Sequence, residues 1–85
     1  MNLLTTTLEQ HNLVTCKFDN GFNIYTRQAD KYGYIGYIGY VVLGCDHLKV
    51  CYRSPVAVHL NDTVYFGFDE FDVDCLNKIC HMFIR

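Results

Sequence analysis

The spacing of apolar side chains along this chain begins helical, turns to strict alternation and ends helical again. Leu4 and Leu8 stand one turn apart, and Thr6 followed by Glu9 has capping-box spacing, which predicts a short opening helix ending near Asn12. From Leu13 the period is two. Asp19-Asn20-Gly21 separates two alternating runs. It reads as a three-residue loop with Gly21 left-handed, pairing Phe18 with Phe22, Cys16 with Ile24 and Val14 with Thr26 on one face.

The stretch from Gly33 to Tyr40 repeats glycine every third residue, a period that suits neither helix nor strand. Read as a strand, it carries Ile35, Tyr37, Val41 and Leu43 on one face and Tyr34, Ile38, Tyr40 and Val42 on the other. Two apolar faces predict a central strand covered on both sides. Gly36 and Gly39 leave gaps for a neighbour, or mark a bulge.

Leu48, Val50 and Tyr52 alternate with Lys49, Cys51 and Arg53, the pattern of a half-exposed strand that Ser54-Pro55 stops. Val56, Val58 and Leu60 alternate next, and a loop of Asn61-Asp62-Thr63 aligns them with Phe68, Phe66 and Val64 as a second hairpin. Asp72 then caps a helix whose stripe is Val73, Leu76, Ile79, Cys80 and Phe83. Acids stand at its start, with Lys78, His81 and Arg85 toward its end, as the helix dipole prefers. The sum is one α+β domain spanning the 85 residues: an antiparallel meander of about five strands with a C-terminal helix, and a short N-terminal helix, packed on one face.

Composition sharpens this picture. With 51% hydrophobic and 15% aromatic residues and a single proline, the chain is a folding sequence rather than a disordered one. Seven tyrosines are its excess. The net charge of −2 is unevenly spread: five basic against four acidic residues up to Arg53, then two against five from Ser54 onward. Without a clustered cationic face, direct nucleic-acid binding is not expected. No leader pattern is visible, and the apolar run from Tyr32 to Cys45 is too short and too glycine-rich for a membrane span. The five cysteines are therefore expected reduced, in a cytoplasmic, intracellular setting.

Catalytic chemistry finds little support. Cys45, His47, Cys51, Cys80 and His81 are the residue types of a zinc site, and a small Cys/His metal-binding protein is one alternative. Their spacing lacks the close pair of a zinc knuckle, so the expectation is no metal and no cofactor. Cys75, near the start of the second helix, follows Asp72 and Asp74, which raise rather than lower a thiol pKa. The expectation is not an enzyme.

What remains is surface. Asp62, Asp69, Glu70, Asp72 and Asp74 fall within thirteen residues free of Lys and Arg, interleaved with Tyr65, Phe66, Phe68 and Phe71. Helix capping and core packing would account for such a stretch. As a functional surface, Tyr65, Asp69, Glu70, Phe71, Asp72 and Asp74 would instead dock on the basic surface of a larger protein. Carboxylates at phosphate-like spacing would let such a surface mimic nucleic acid. A compact, aromatic, one-sidedly acidic chain resembles, in composition, the small inhibitors carried by phages and mobile elements. The expected function is a non-enzymatic protein-binding inhibitor of a nucleic-acid-handling or defence protein. The alternative is a self-associating module, a homodimer pairing through the strand that carries Tyr34, Tyr37 and Tyr40.

Overall fold

The computed structural model describes residues 2–29, 33, 35–53, 61–67 and 73–83. Its elements follow the order α1 (Asn2–Gln10), β1 (Leu13–Phe18), β2 (Gly21–Thr26), β3 (Tyr37–Leu43), β4 (His47–Arg53), β5 (Asn61–Gly67) and α2 (Val73–Phe83). The strands form one antiparallel sheet in the order β1-β2-β3-β4-β5. The expected α+β meander with a helix at each side of it in sequence is the observed architecture.

Helix α1 begins four residues before Thr6, which is therefore interior and not its cap. The Thr7 hydroxyl donates back to the Leu3 carbonyl at 2.7 Å, a bond that lets a β-branched residue sit in a helix. The helix closes by tightening: His11 N donates to Leu8 O and Asn12 N to Glu9 O. Asn12 then takes a left-handed conformation, φ 64°, which asparagine tolerates better than most residues, and its carbonyl accepts from Arg27 N at 3.1 Å.

The first hairpin is tighter than its sequence suggests. Phe18 lies opposite Gly21, so Asp19 and Asn20 alone make the turn, with Lys17 opposite Phe22, Thr15 opposite Ile24 and Leu13 opposite Thr26. Gly21 is not the loop's left-handed residue. It belongs to β2, and a Cβ there would run into the Val41 carbonyl oxygen of β3. Close approach to the next strand, not loop geometry, demands glycine. The register is anchored by β2 and β3, and edge strand β1 accepts Thr15 and Lys17 on the helix side because Lys17 is free to reach solvent.

A bulge shapes β3. Ile24 lies opposite Gly39 but Tyr25 lies opposite Tyr37, so Ile38 is the extra residue and is fully buried. The irregularity turns Tyr37 to the same sheet face as Tyr40 and Val42, correcting the face expected for it. Gly39 is there because a Cβ would strike the Cys51 carbonyl oxygen and come within 2.7 Å of Phe83 Cε1.

The core lies on one side of the sheet. Leu4 and Leu8 of α1 and Cys75, Ile79, Cys80 and Phe83 of α2 pack with Leu13, Phe22, Ile24, Ile38, Val41, Leu48 and Val50. Each such side chain contributes on the order of 1.5–3 kcal/mol by leaving water. Thr26, the one buried polar side chain among the described residues, is satisfied by Gly36, whose N–H donates to its hydroxyl at 2.7 Å. Two further expectations change. Val73 is 69% exposed and Cys75 takes its place in the α2 stripe, at four-residue spacing with Ile79 and Phe83. Asn61-Asp62-Thr63 is not a loop but the start of β5, paired with β4 through Arg53, Tyr52 and Cys51. Pairing onto an existing strand outweighs the poor strand propensity of Asn and Asp, and an edge position leaves their side chains in water. The partner run expected at Val56, Val58 and Leu60 lies outside the described residues.

Candidate functional site

The sheet has a turn end, where the β1–β2 and β3–β4 connections sit. Leu43 N donates to Asn20 O at 2.6 Å, joining the first turn to the top of β3. The chain also leaves β5 at this end, since Gly67 lies opposite His47. Helix α2 runs back down the sheet: its Phe83 ring meets Tyr52 edge-on at 6.3 Å, near the far end of β4. The start of α2, with Asp74 in its first turn, therefore points toward the turn end.

Charge is unevenly spread along this axis, with Asp62, opposite Tyr52, at the far end and Lys17 and Lys49 toward the turn end. Asp19 and Asp46 occupy the two turns, Asp74 opens α2, and all three are exposed. Arg27, directly after β2, and Arg53, last in β4, stand at the opposite end. The segment 68–72, with Asp69, Glu70, Phe71 and Asp72, lies outside the described residues.

Tyr65 is the aromatic of this end. It is 60% exposed, lies opposite Lys49 on edge strand β5, and meets the His47 ring edge-on with centroids 5.4 Å apart. His47 Nδ1 in turn sits 2.8 Å from Asp46 Oδ1. That hydrogen bond, with the charge of the imidazole, holds the Asp46 carboxyl below its ordinary value. Tyr65 and Asp74 thus share an end of the molecule, though Tyr65 is on the open sheet face and Asp74 on the helix side. Asp46 and Asp19 escape a reading along the chain because each is a turn aspartate, and only the meander order brings the two turns together.

The open sheet face carries Tyr25, Tyr37, Tyr40 and Tyr65. Tyr25 and Tyr37 meet edge-on at 5.7 Å. Burial, then the neighbouring Cys51, Tyr40 and Tyr25, push the Tyr37 phenol up, with Arg53 opposing. Lys49 Nζ lies 5.8 Å from the centre of the Tyr40 ring, and its hydrogen bond with Tyr40 raises its pKa. Tyr34 lies outside the described residues. Because β3 is flanked by β2 and β4, its backbone is already fully used, and strand pairing through it to another copy is not available. Among the described strands only β1 and β5 are edges.

The proposed metal set is dispersed: Cys45 is exposed in a turn, Cys51 is on the open face, Cys80 is buried against the core and His81 is exposed. Among the described residues no three His, Cys, Asp or Glu side chains stand close enough to share an ion. No described helix is long and apolar enough to cross a membrane. Comparison with models of known families, with curated proteins and with solved structures finds no match.

Proposed function

We propose that this chain is a non-enzymatic protein-binding module, an inhibitor of the phage or mobile-element kind, whose acidic end docks on a basic surface of a larger nucleic-acid-handling or defence protein. The observation that carries the reading is the gathering of Asp19, Asp46 and Asp74 with exposed Tyr65 at one end of the sheet, while Arg27 and Arg53 stand at the other. Three exposed carboxylates at one end favour approach to a cationic surface, and an exposed tyrosine supplies the apolar contact that holds it. Asp69, Glu70, Phe71 and Asp72 extend the acidic stretch in sequence.

The test is capture of partners from lysate of the producing organism or its host by the immobilised chain. Beside it runs a variant with Asp69, Asp72 and Asp74 changed to Asn and Glu70 to Gln, and a second variant, Tyr65→Ala. The reading expects a protein retained by the native chain, released by salt and lost by both variants. Identical retention by all three forms would refute it.

A second reading has its own observation. Tyr25, Tyr37, Tyr40 and Tyr65 lie on the sheet face opposite the helices, so two copies could meet face to face, without any pairing through β3. Sedimentation showing a monomer at all concentrations removes it.

A further inference from the structure

A cavity of about 330 Å³ opens at the acidic end, between α1 and the β1–β2 hairpin. Its volume is at the low end of the roughly 300–1,000 Å³ usual for ligand sites, which suits a side chain better than a large metabolite. Its lining is mixed. Phe22 and Leu43 supply an apolar floor, Thr15 a hydroxyl, and Glu9, Asp19 and Lys17 its charges. Leu43 is 42% exposed there, an apolar surface left in water.

Glu9 is the telling residue. It sits in the last turn of α1, where the helix dipole disfavours an acid, and that turn carries no basic residue. The Thr15 hydroxyl donates to its Oε1 at 2.8 Å and fixes the carboxylate beside β1. Among the described residues, no ion pair ties Lys17 to Glu9 or to Asp19. The lining therefore keeps one net negative charge over an apolar floor. An anion would have to lie against two carboxylates, and an uncharged guest would leave them unmatched.

We infer that this cavity takes one arginine side chain of the docking partner, its stem on Phe22 and Leu43 and its guanidinium between Glu9 and Asp19. The inference rests on the docking reading above. Arginine fits better than lysine because its planar, weakly hydrated fork can serve two carboxylates at once.

The probe is N-acetyl-arginine amide, titrated into isotope-labelled protein and followed by amide chemical shifts, with N-acetyl-citrulline amide as the uncharged isostere and free arginine as a third arm. Saturable shifts confined to Thr15, Lys17, Phe22 and their neighbours are expected with the arginine amide, and none with the citrulline amide. Glu9→Gln, which keeps the oxygen that accepts from Thr15, and Asp19→Asn should each weaken binding about tenfold, the loss of one charge-assisted hydrogen bond. Equal shifts from the citrulline amide, or no saturable shift, would overturn the assignment. Much tighter binding of free arginine would also overturn it, by making the guest a free amino acid. Loss of partner capture in Tyr65→Ala without any loss in Glu9→Gln and Asp19→Asn would sink this inference and leave the docking reading standing.

Discussion

Tyr65 and His47 meet edge to face across the β4–β5 pair, 5.4 Å between ring centres, with the His47 imidazole also holding Asp46. An exposed aromatic on an edge strand is thereby fixed in direction beside a carboxylate. Truncating it separates folding from docking. Tyr65→Ala should cost no more than about 1 kcal/mol of stability in urea melts, since only an edge contact is lost. If Tyr65 anchors the partner, the same change should weaken binding by about 2 kcal/mol or more in calorimetry.

Gly33 and Gly39 both sit at positive φ, but only Gly39 is also crowded. Gly39→Ala pushes a methyl into the Cys51 carbonyl and the Phe83 ring, so it should destabilise by roughly 1–3 kcal/mol or more in denaturant melts. Gly33 has open space around it but φ +83°, so Gly33→Ala should cost about 1–2 kcal/mol from backbone strain alone. Adding a large-to-small change at Phe83 should relieve part of the first penalty and none of the second.

Asn12 ends α1 at φ 64°. Asn12→Gly should be neutral or slightly stabilising in thermal melts, whereas Asn12→Val should cost about 1–2 kcal/mol, because a β-branched residue resists that conformation.

The thiols divide by burial. Cys16 and Cys45 are exposed and should react readily with a disulfide reagent in the folded chain. Cys75 and Cys80 are each 4% exposed, and burial pushes the Cys80 thiol up, so both should react only through unfolding, at rates that rise with urea.

Alkali should act through Tyr37. Its folded-state pKa lies above the ordinary 10.0 because burial disfavours phenolate. The folded chain binds that proton more tightly than the unfolded one, so the contribution is intact below pH 10.0 and is lost as pH rises through the folded value. Stability measured across that window should fall less steeply in Tyr37→Phe than in the native chain.

Much of this fold was legible because burial follows simple periods. Leu48, Val50 and Tyr52 alternate as they pack, and Ile79, Cys80 and Phe83 share a helical stripe. The errors came where one strand's needs are set by another. Gly21 reads as a turn glycine until β3 is laid against it, and Tyr37 changes face because Ile38 is squeezed into a bulge. Asn61 to Thr63 look like a loop until β4 offers them a ladder. At the candidate site, Tyr65 and Asp74 could be picked from composition. Asp19 and Asp46 could not, because they reach the same end of the sheet only through the order of its strands.

That order has a kinetic side. Each strand pairs with the one before it, so the sheet can zip hairpin by hairpin with little chain to close, the topology of a fast folder. The core is different. Cys75, Ile79, Cys80 and Phe83 of α2 cover strands that precede it, and α2 touches α1 as well. During synthesis the part of the sheet's apolar side that α2 covers must therefore stay exposed until α2 clears the ribosome.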